Sequence, residues 1–423
     1  MGQPLRIGLY SPFFGSTIGG GEKYLGVTAE AIRDAFPQHQ LEILSPVPAD
    51  QELYQRMLKL DLSGITFRST NRRVTRLHKF LNNIPAARMY RDLFLSAQAV
   101  KFTAQYDLFI AMVYVLPAFT RARRSVMLCQ FPYEIGPVPS RHKGLSALAY
   151  SVYGFPNRVL RPIMVGDDLE NFDPIVCQSE YVRFWVSRYW DRQAEVVNPP
   201  IDVPEEPPDW SRKRNVILGV GRFFSVGHSK RQDLMVQVFK RMCDQGLTGW
   251  ELHLAGSVHR ESHNVGFFEG IKTDSVGYPI HLHPDASYET VQNLYAQASV
   301  YWHAAGYGVD VETDPINLEH FGMTTAEAMG SGVVPVVLAR GGQTEVVSDG
   351  SDGLLWEDLD ELRTKTQSLI DDSHLRRRLG EAAYRSAGRF SRSQFKAKMT
   401  AVLAPVVADL ERHPPRDATQ ARG

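Results

Sequence analysis

Short apolar runs recur along the chain, and most of them end at a turn that is followed by an amphipathic stretch. They predict strands near 5–10, 41–44, 107–113, 125–131 and 174–178 in the first half, and near 215–219, 251–256, 279–284, 299–303, 333–338 and 353–356 in the second. Apolar runs of this length that alternate with helical patterns are typical of parallel sheets with helices on both faces. The chain is therefore expected to be an α/β protein.

The length of the chain indicates that these elements form two domains. A chain of 423 residues suggests two domains rather than one compact core. The stretch 199–213 is rich in proline and charge and is typical of a linker. We expect a first domain over 1–203, a second over 204–391, a helix over about 392–411 and a disordered tail over 412–423.

Composition argues against several classes of protein. Basic and acidic residues balance at 47 each, so charge gives no reason to expect a nucleic-acid partner. Cys129, Cys177 and Cys243 are scattered and form neither a metal-binding spacing nor a disulfide framework, which favours a reducing compartment. We see no signal peptide and no apolar run long enough to span a bilayer, and we expect a cytoplasmic protein.

The stretch 299–338 contains two apolar strands, a glycine-containing loop and a helical pattern within 40 residues. An apolar strand is followed by a glycine-containing acidic loop, by Glu319, by a short helical pattern that contains Glu327, and by a second apolar strand. This is one βαβ unit, and the start of its helix is where α/β sheets bind ligands. We expect threonines to cap the helix. Taken alone, the two glutamates are typical of ordinary acids that flank a helix, and it is the neighbouring glycines, apolar strands and acidic loop that favour a ligand site.

The residues of this stretch carry a resemblance to a known family. The quoted motif is Glu319-His320-Phe321-Gly322, then Glu327-Ala328-Met329, then Gly332 and Pro335-Val336. It resembles the signature of the family 4 retaining glycosyltransferases, and in particular of mannosyltransferases. The resemblance implies the GT-B fold, with two Rossmann-like domains that face each other across a cleft and a C-terminal helix that crosses back to the first domain.

The family also gives roles to several residues. The resemblance implies that Glu319 and the backbone amides of Phe321, Gly322 and Met323 hold sugar hydroxyls, since the first amides of a helix have no internal partner. Glu327 is expected to bind the ribose, and Thr324 is included among the donor-binding residues.

A second glycine turn follows the strand at 215–219. Arg222 and Lys230 lie on either side of a loop that precedes an amphipathic helix. A helix N-terminus with two cations suits a diphosphate. In the resembling family the matching arginine and lysine hold the donor phosphates and stabilise the leaving group, so we expect a catalytic set of Glu319, Arg222 and Lys230. The alternative is an ordinary basic surface loop.

The remaining donor-binding candidates are implied by the family. Turns after two strands place Gly256, Ser257 and His283 beside the nucleotide base. Gly20 and Gly21 belong to a glycine-rich loop after the first strand, whose spacing is not the dinucleotide fingerprint. Related enzymes often carry a histidine where this chain has Gln130, and the difference disfavours a titratable role there. A glutamine can still donate hydrogen bonds.

We expect no metal and no cofactor beyond the nucleotide sugar. His281, His283 and His303 are interpreted as core or loop histidines on separate strands without a ligand spacing. Asp310-Val311-Glu312 loosely resembles an acidic metal motif, but the resembling family does not need one.

Two segments raise the possibility of membrane contact. The stretch 68–91 contains seven basic residues and no acid, with apolar residues at helical spacing, and 143–161 places aromatic residues between basic ends. Such segments can lie on an anionic membrane and suit a lipid-linked acceptor. A solvated helix packed on its own domain is the alternative.

The predicted activity is transfer of a mannose- or glucose-like sugar, with retention of configuration, from a nucleotide-diphosphate sugar. The acceptor is a hydroxyl of a glycan, a lipid-linked intermediate or a small metabolite, and GDP-mannose is the favoured donor. A nucleotide-sugar epimerase, a phosphorylase and a non-catalytic sugar-binding protein remain alternatives.

Overall fold

The computed structural model describes residues 3–69, 100, 102–114, 119–133, 169–204, 206–225, 227, 229–258 and 262–414. These residues fall into two compact units. Unit 1 is drawn from Met1–Gln178, Val182–Val197 and Phe395–Gly423, and unit 2 is drawn from Ser179–Tyr181 and Asn198–Gln394.

Unit 1 is built on a parallel sheet whose described strands follow the order β3-β2-β1-β4-β5-β6-β7. Its strands are β1 (Arg6–Tyr10), β2 (Gln40–Ser45), β3 (Thr66–Ser69), β4 (Leu108–Tyr114), β5 (Arg124–Phe131), β6 (Phe172–Cys177) and β7 (Glu195–Val196). The helices that belong to it wholly or mainly are α1 (Gly20–Ala35), α2 (Gln51–Leu58), α3 (Glu180–Trp190) and α11 (Arg392–Arg412).

Helix α11 packs on the core of unit 1, although it comes last in the chain. Its buried stripe consists of Phe395, Met399, Leu403, Val406, Val407 and Leu410. The spacing of three and four residues places these side chains on one face of a helix. Lys396 on the same helix lies 2.9 Å from both Glu30 and Asp34 of α1. Apolar burial and charge therefore fix the last helix to the first.

Unit 2 contains a second parallel sheet, with the described strands in the order β10-β9-β8-β11-β12-β13. Its strands are β8 (Val216–Val220), β9 (Glu251–Gly256), β10 (Ile280–Pro284), β11 (Val300–His303), β12 (Val334–Leu338) and β13 (Leu354–Trp356). Its helices are α4 (Gln232–Asp244), α5 (Ser262–Asp274), α6 (Tyr288–Gln297), α7 (Met323–Gly330), α8 (Gln343–Val346), α9 (Leu359–Asp371) and α10 (Ser373–Ala387).

Both faces of the second sheet are buried along its central strands. In β12, Val334, Val336 and Leu338 join one apolar cluster, while Val337 joins a cluster on the other side. Successive side chains of a strand point to opposite faces. A strand covered on both sides therefore has a continuous apolar sequence, which is why these runs predicted a parallel sheet.

The segments considered for membrane contact lie largely outside the described residues. This holds for 70–91 and 143–161, and also for 415–423 of the expected tail. The prediction of a helix beginning at Arg68 is wrong at its start, because Arg68 and Ser69 end strand β3. Arg68 Nε lies 3.4 Å from Glu42 Oε1 on β2. Across the part of the chain that the structure describes, no helix is both long and apolar enough to cross a membrane.

Candidate functional site

The predicted residues of unit 2 follow the carboxyl ends of its strands. Arg222 comes after β8, Gly256 ends β9, and Glu319 lies in the connection that leaves β11 and leads into α7. All neighbouring strands in this sheet are parallel, so these ends lie along one edge. This edge is where open α/β sheets bind ligands.

Glu319 lies at the centre of a small polar group. Lys230 Nζ donates a hydrogen bond to Glu319 Oε2. His303, the last residue of β11, places its Nε2 2.8 Å from the same oxygen. That contact is short, but the ring is not aligned for a hydrogen bond, and within the described structure neither ring nitrogen has an aligned partner. The Glu319 side chain is only 15% exposed, and that of His303 is 1% exposed.

The charges of this group follow from its surroundings. Burial raises the pKa of Glu319, but the positive charge of Lys230 and the contact with His303 outweigh burial and hold that pKa well below its usual range. Burial lowers the pKa of His303, Glu319 opposes this, and Lys230 adds to the lowering. At neutral pH the group consists of a carboxylate, an ammonium and a neutral imidazole.

Two glycines allow Lys230 to approach this edge. A Cβ on Gly221 would lie 2.5 Å from Lys230 Cγ, and a Cβ on Gly256 would lie 2.0 Å from the carbonyl oxygen of Gly221. Real side chains do not fit at such distances, so the close approach requires glycine at both positions. Gln232 Nε2 fixes the same turn by donating to the carbonyl oxygens of Gly221 and Arg222, at 3.0 and 3.2 Å.

Arg222 forms no ion pair with a described residue of this group. Its side chain is exposed, and its guanidinium carbon lies 4.6 Å from the centre of the Phe224 ring. A cation over an aromatic face is weakly held at an exposed position. The guanidinium is therefore available to an anionic ligand.

The turn after Glu319 presents backbone donors. The amide of Gly342 donates to the carbonyl oxygen of Glu319 at 2.8 Å, which fixes the turn from one side. Gly322 has φ 108° and immediately precedes α7. Among the described residues, none accepts a hydrogen bond from the amides of Phe321, Gly322 or Met323. As predicted from the sequence, these amides stand at the positive end of a helix.

The threonine cap predicted for α7 is wrong. Gly322 is the capping residue, and it has no side chain to cap with. Thr324 lies inside the first turn, where its Oγ1 accepts a hydrogen bond from the Tyr301 hydroxyl at 2.7 Å. A left-handed backbone at the cap position excludes threonine there, because its branched Cβ disfavours positive φ.

Glu327 lies on α7 among tyrosines. The Tyr295 hydroxyl is 3.4 Å from Glu327 Oε2 and 3.2 Å from the carbonyl oxygen of Thr324. Burial, and then the negative charge of Glu327, raise the pKa of Tyr295 well above its usual value. Tyr295 therefore stays protonated and donates, which orients the carboxylate.

Gly256 and Ser257 are placed by backbone pairing. The amide of Asp285 donates to the carbonyl oxygen of Gly256 at 2.9 Å, and the amide of Phe223 donates to that of Ser257 at 3.0 Å. His283 turns its ring to His253, with Nε2 3.1 Å from His253 Nδ1. The interpretation of His281 and His283 as residues of separate strands is wrong, because both lie on β10.

Gly20, Gly21 and Gln130 belong to unit 1. The two glycines were predicted in a loop, but they are the first residues of α1, after the cap residue Gly19. Gln130 lies near the end of β5, and its carbonyl oxygen accepts a hydrogen bond from Gln178 Nε2 at 2.9 Å. The roles expected for these three residues stay predictions.

Sequence reasoning missed the parts that support Glu319. His303 was taken as an ordinary core histidine, and the Gly341-Gly342 pair after β12 was passed over. The available signals were a histidine at the last position of an apolar strand and a double glycine after the next strand. Both follow the carboxyl ends of parallel strands, where site residues are expected.

Comparison with known proteins places this geometry in context. Residues 203–386 match the family model of the glycosyl transferases group 1. The alpha-1,3/1,6-mannosyltransferase alg-2 of Neurospora crassa is 25% identical over 289 residues, which cover 59% of this chain and 58% of that protein. The chain thus matches less than two thirds of the length of this relative.

Solved structures match this chain over nearly its whole length. Sucrose-phosphate synthase of Thermosynechococcus elongatus matches with a TM-score of 0.68 and 17% identity, covering 96% of this chain and 100% of that one. HepE of Anabaena, solved in complex with UDP-glucose, matches with a TM-score of 0.62 and 14% identity over 95% and 100%. At such identities the likeness concerns the fold, and it confirms the predicted fold class of two Rossmann-like sheets. The chain therefore has the GT-B fold, and its residues 203–386 are similar to the glycosyl transferases group 1.

Proposed function

We propose that the protein is a retaining glycosyltransferase that moves a mannose- or glucose-like sugar from a nucleotide-diphosphate sugar to an acceptor hydroxyl. The observation that carries the proposal is the Lys230–Glu319 pair beside three amides without described partners, at the strand ends of a group 1 domain. The acceptor belongs to a glycan, a lipid-linked intermediate or a small metabolite.

The donor diphosphate suits the cations of this edge. Lys230 and Arg222 supply two positive charges, and the start of α4, which follows their loop, adds the positive end of a helix dipole. As the bond between sugar and phosphate breaks, negative charge grows on the leaving diphosphate. Groups that are already fixed in position stabilise that charge without reorganisation.

Glu319 and Glu327 suit two other parts of the donor. The Glu319 carboxylate accepts hydrogen bonds from sugar hydroxyls, while the amides of Phe321 to Met323 donate to their oxygens. Glu327, oriented by Tyr295, accepts from the ribose hydroxyls. This arrangement distinguishes a polyhydroxylated donor from a simple phosphate.

No described side chain of this group is an evident general base, since Glu319 is engaged by Lys230 and His303 is buried away from an acceptor. In the step we propose, the acceptor oxygen bonds to the anomeric carbon from the face that the leaving group departs from. The bond between that carbon and the phosphate oxygen breaks, and the proton of the acceptor passes to a phosphate oxygen. Configuration at the anomeric carbon is retained.

Two donors are favoured over others. GDP-mannose was favoured by the motif, and the Neurospora crassa relative is a mannosyltransferase by name. UDP-glucose is the second candidate, because the Anabaena structure was solved with it. The two differ in both base and sugar, so a direct comparison separates them.

The test is a transfer assay with both donors and simple acceptors such as methyl α-mannoside, octyl α-mannoside and glycerol. We expect one donor to give a glycoside of unchanged anomeric configuration by NMR. Glu319→Gln and Lys230→Met should each lower turnover by about 10²–10³, since each removes a charge that acts on the reacting donor.

Matched controls come from an exposed acid–base pair of the same unit. Glu269 and Lys272 lie 3.4 Å apart on α5, and both are more than half exposed. Glu269→Gln and Lys272→Met should leave turnover unchanged. Near wild-type rates in both Glu319→Gln and Lys230→Met would overturn the proposal, and a donor epimerised without any acceptor would favour the epimerase.

A further inference from the structure

Four titratable side chains lie together on one face of the strands β9 and β10, away from the Lys230–Glu319 pair in sequence. They are Glu251, His253, His281 and His283. The parallel register pairs His281 with His253. Residues two apart on a strand share a face, so Glu251 and His253 lie beside His281 and His283.

The distances between their polar atoms are short. His253 Nε2 lies 3.1 Å from Glu251 Oε2, and His281 Nε2 lies 3.9 Å from the same oxygen. One ligand atom from each of these three residues falls within 4.8 Å of the others. Two ligands held at about 2.1 Å from a tetrahedral Zn²⁺ are about 3.4 Å apart. The three atoms need to move little to surround one ion.

The face that carries this cluster is open to solvent. Leu252 and Leu254 of β9 point the other way, into the apolar core, with Ile280 and Leu282 of β10 packed against it. On the cluster side the exposed fractions are 38% for Glu251 and 50% for His281, whereas His253 is 16% exposed. An ion can therefore reach the site without any rearrangement of the core.

We propose that this cluster binds one divalent transition-metal ion of the Zn²⁺ class. Glu251 Oε2, His253 Nε2 and His281 Nε2 are the three protein ligands, and water completes the coordination. The proposal does not rest on the transfer reaction.

His283 supports the ligand set without binding the ion. Its Nε2 lies 3.1 Å from His253 Nδ1. When Nε2 of His253 binds the metal, the Nδ1–H of the same ring can donate a hydrogen bond to His283 Nε2. Metal-binding histidines usually donate their second nitrogen in this way, which fixes the ring and its tautomer. This arrangement distinguishes a built ligand set from histidines that are near each other by chance.

An ion bound at this site would link β9 to the edge strand β10. Glu251 and His253 come from one strand and His281 from the other, so an ion bound by all three links them. Edge strands carry unpaired backbone groups on one side and are less firmly held than central strands. A bound ion stabilises the native pairing by an amount that grows with the logarithm of the ratio of its concentration to its Kd.

The ligand set also predicts selectivity. Two imidazoles and one carboxylate suit Zn²⁺, Ni²⁺ and Cu²⁺, whereas Mg²⁺ and Ca²⁺ prefer oxygen ligands. We therefore expect binding of Zn²⁺ in the presence of a large excess of Mg²⁺.

The experiment uses the full chain without a histidine tag, stripped with a chelator and titrated with Zn²⁺ by calorimetry, with bound metal counted by mass spectrometry. We expect one Zn²⁺ per chain and an upward shift of Tm. His281→Gln and Glu251→Gln should abolish both effects. His283→Ala should weaken binding by about 10–100-fold, as expected when a supporting partner is lost.

His374→Ala is the matched control, because this histidine lies exposed at the start of α10. Zinc binding by this variant should equal that of the wild type. Unfolding of each variant in metal-free buffer checks that the fold is intact. Zinc that binds equally well to His281→Gln and Glu251→Gln, or a wild-type chain that binds no zinc, would refute the site. Equal affinity for Mg²⁺ would refute the ligand set.

Discussion

The residues in contact with Glu319 determine the ionisation state of its carboxylate. A carboxylate with only 15% exposure is costly to ionise unless a charge compensates, and Lys230 provides that charge. His303 lies at the same oxygen but stays neutral, because burial and Lys230 both lower its pKa. The ionised pair can thus be maintained at neutral pH with an imidazole beside it.

The lowered pKa of His303 predicts a pH dependence of stability. The unfolded chain protonates this histidine below its ordinary pKa of about 6.5, while the folded chain resists protonation. Stability contributed by the neutral ring is therefore full above pH 6.5 and is lost as the pH falls toward the folded pKa. A single group of this kind changes the free energy of unfolding by at most about 1.4 kcal/mol per pH unit.

The measurement is urea unfolding of the wild type and of His303→Asn at pH 7, 6 and 5. Asparagine keeps a polar side chain near Glu319 but does not titrate. We expect the wild type to lose stability more steeply than the variant over this range. Other histidines with lowered pKa, such as His39 and His253, affect both proteins alike. Parallel curves for the two proteins would contradict the expectation.

At this scale the sequence revealed the charged residues but not their neighbours. Glu319 and Lys230 stand out because each follows a strand and precedes a helix. His303 does not, since its contact with Glu319 depends on how the intervening loop folds back. His253 and His281 are 28 positions apart, and only the strand register brings them together. Residue spacing predicts neighbours along an element, not across a sheet.

Among the elements, the turn 319–322 depends on a second turn that follows β12. A Cβ on Gly341 would lie 2.4 Å from the carbonyl oxygen of Glu319, and one on Gly342 would lie 2.4 Å from that of His320. Two backbone segments thus pack directly on each other. This contact fixes the direction of the amides before α7.

Gly342→Ala should disturb this contact. The new Cβ would also lie 2.5 Å from Phe321 Cα, and backbone cannot move aside as a flexible side chain can. We expect a loss of about 1–3 kcal/mol in the free energy of unfolding, as for other overpacked positions. The affinity for the nucleotide-sugar donor should fall by more than the loss of folded protein accounts for, because the backbone amides of 321–323 shift. Urea unfolding and calorimetry with the preferred donor measure the two effects.

Gly270→Ala is the control for that substitution. Gly270 is exposed within α5, and a Cβ there would contact nothing within 4 Å. Alanine is the better helix former, so this variant should gain up to about 1 kcal/mol. A Gly342→Ala protein as stable as the wild type, with unchanged affinity for the donor, would show that the two turns are not packed as described.

Elements were predicted more accurately than their ends. The apolar runs marked the strands because both sheet faces are buried, whereas the ends depend on backbone angles. The helix start at Gly322 illustrates this, since its φ of 108° replaced the expected threonine cap. Gly20 and Gly21 are the opposite case, because they were expected in a loop but form the first turn of the helix α1.

At the scale of the whole molecule, the sequence does not show directly which unit receives each segment. The apolar stripe of α11 identifies an amphipathic helix, but such a stripe can pack against the apolar surface of either unit. The contacts of Lys396 with Glu30 and Asp34 attach it to α1. Chain length predicted two domains, and the resemblance to the glycosyltransferase family implied a Rossmann-like sheet in each.

The division into units predicts where donor binding will appear. Arg222, Lys230 and Glu319 all belong to unit 2, so a nucleotide sugar should stabilise the unfolding transition of that unit. At about 100 times its dissociation constant a ligand adds about 2.7 kcal/mol to the free energy of unfolding. Differential scanning calorimetry against GDP-, UDP- and ADP-sugars and the free nucleotides measures this shift.

We expect a single base family to raise the Tm, with the sugar nucleotide acting more strongly than the free nucleotide because Glu319 and the adjacent amides add contacts to the sugar. Glu319→Ala should remove that difference, while Lys272→Met, which changes an exposed residue of α5, should keep it. Equal shifts with all three bases would mean that only the diphosphate is recognised. No shift with any nucleotide would contradict a donor site on unit 2, because ligand binding to the native state alone must stabilise it.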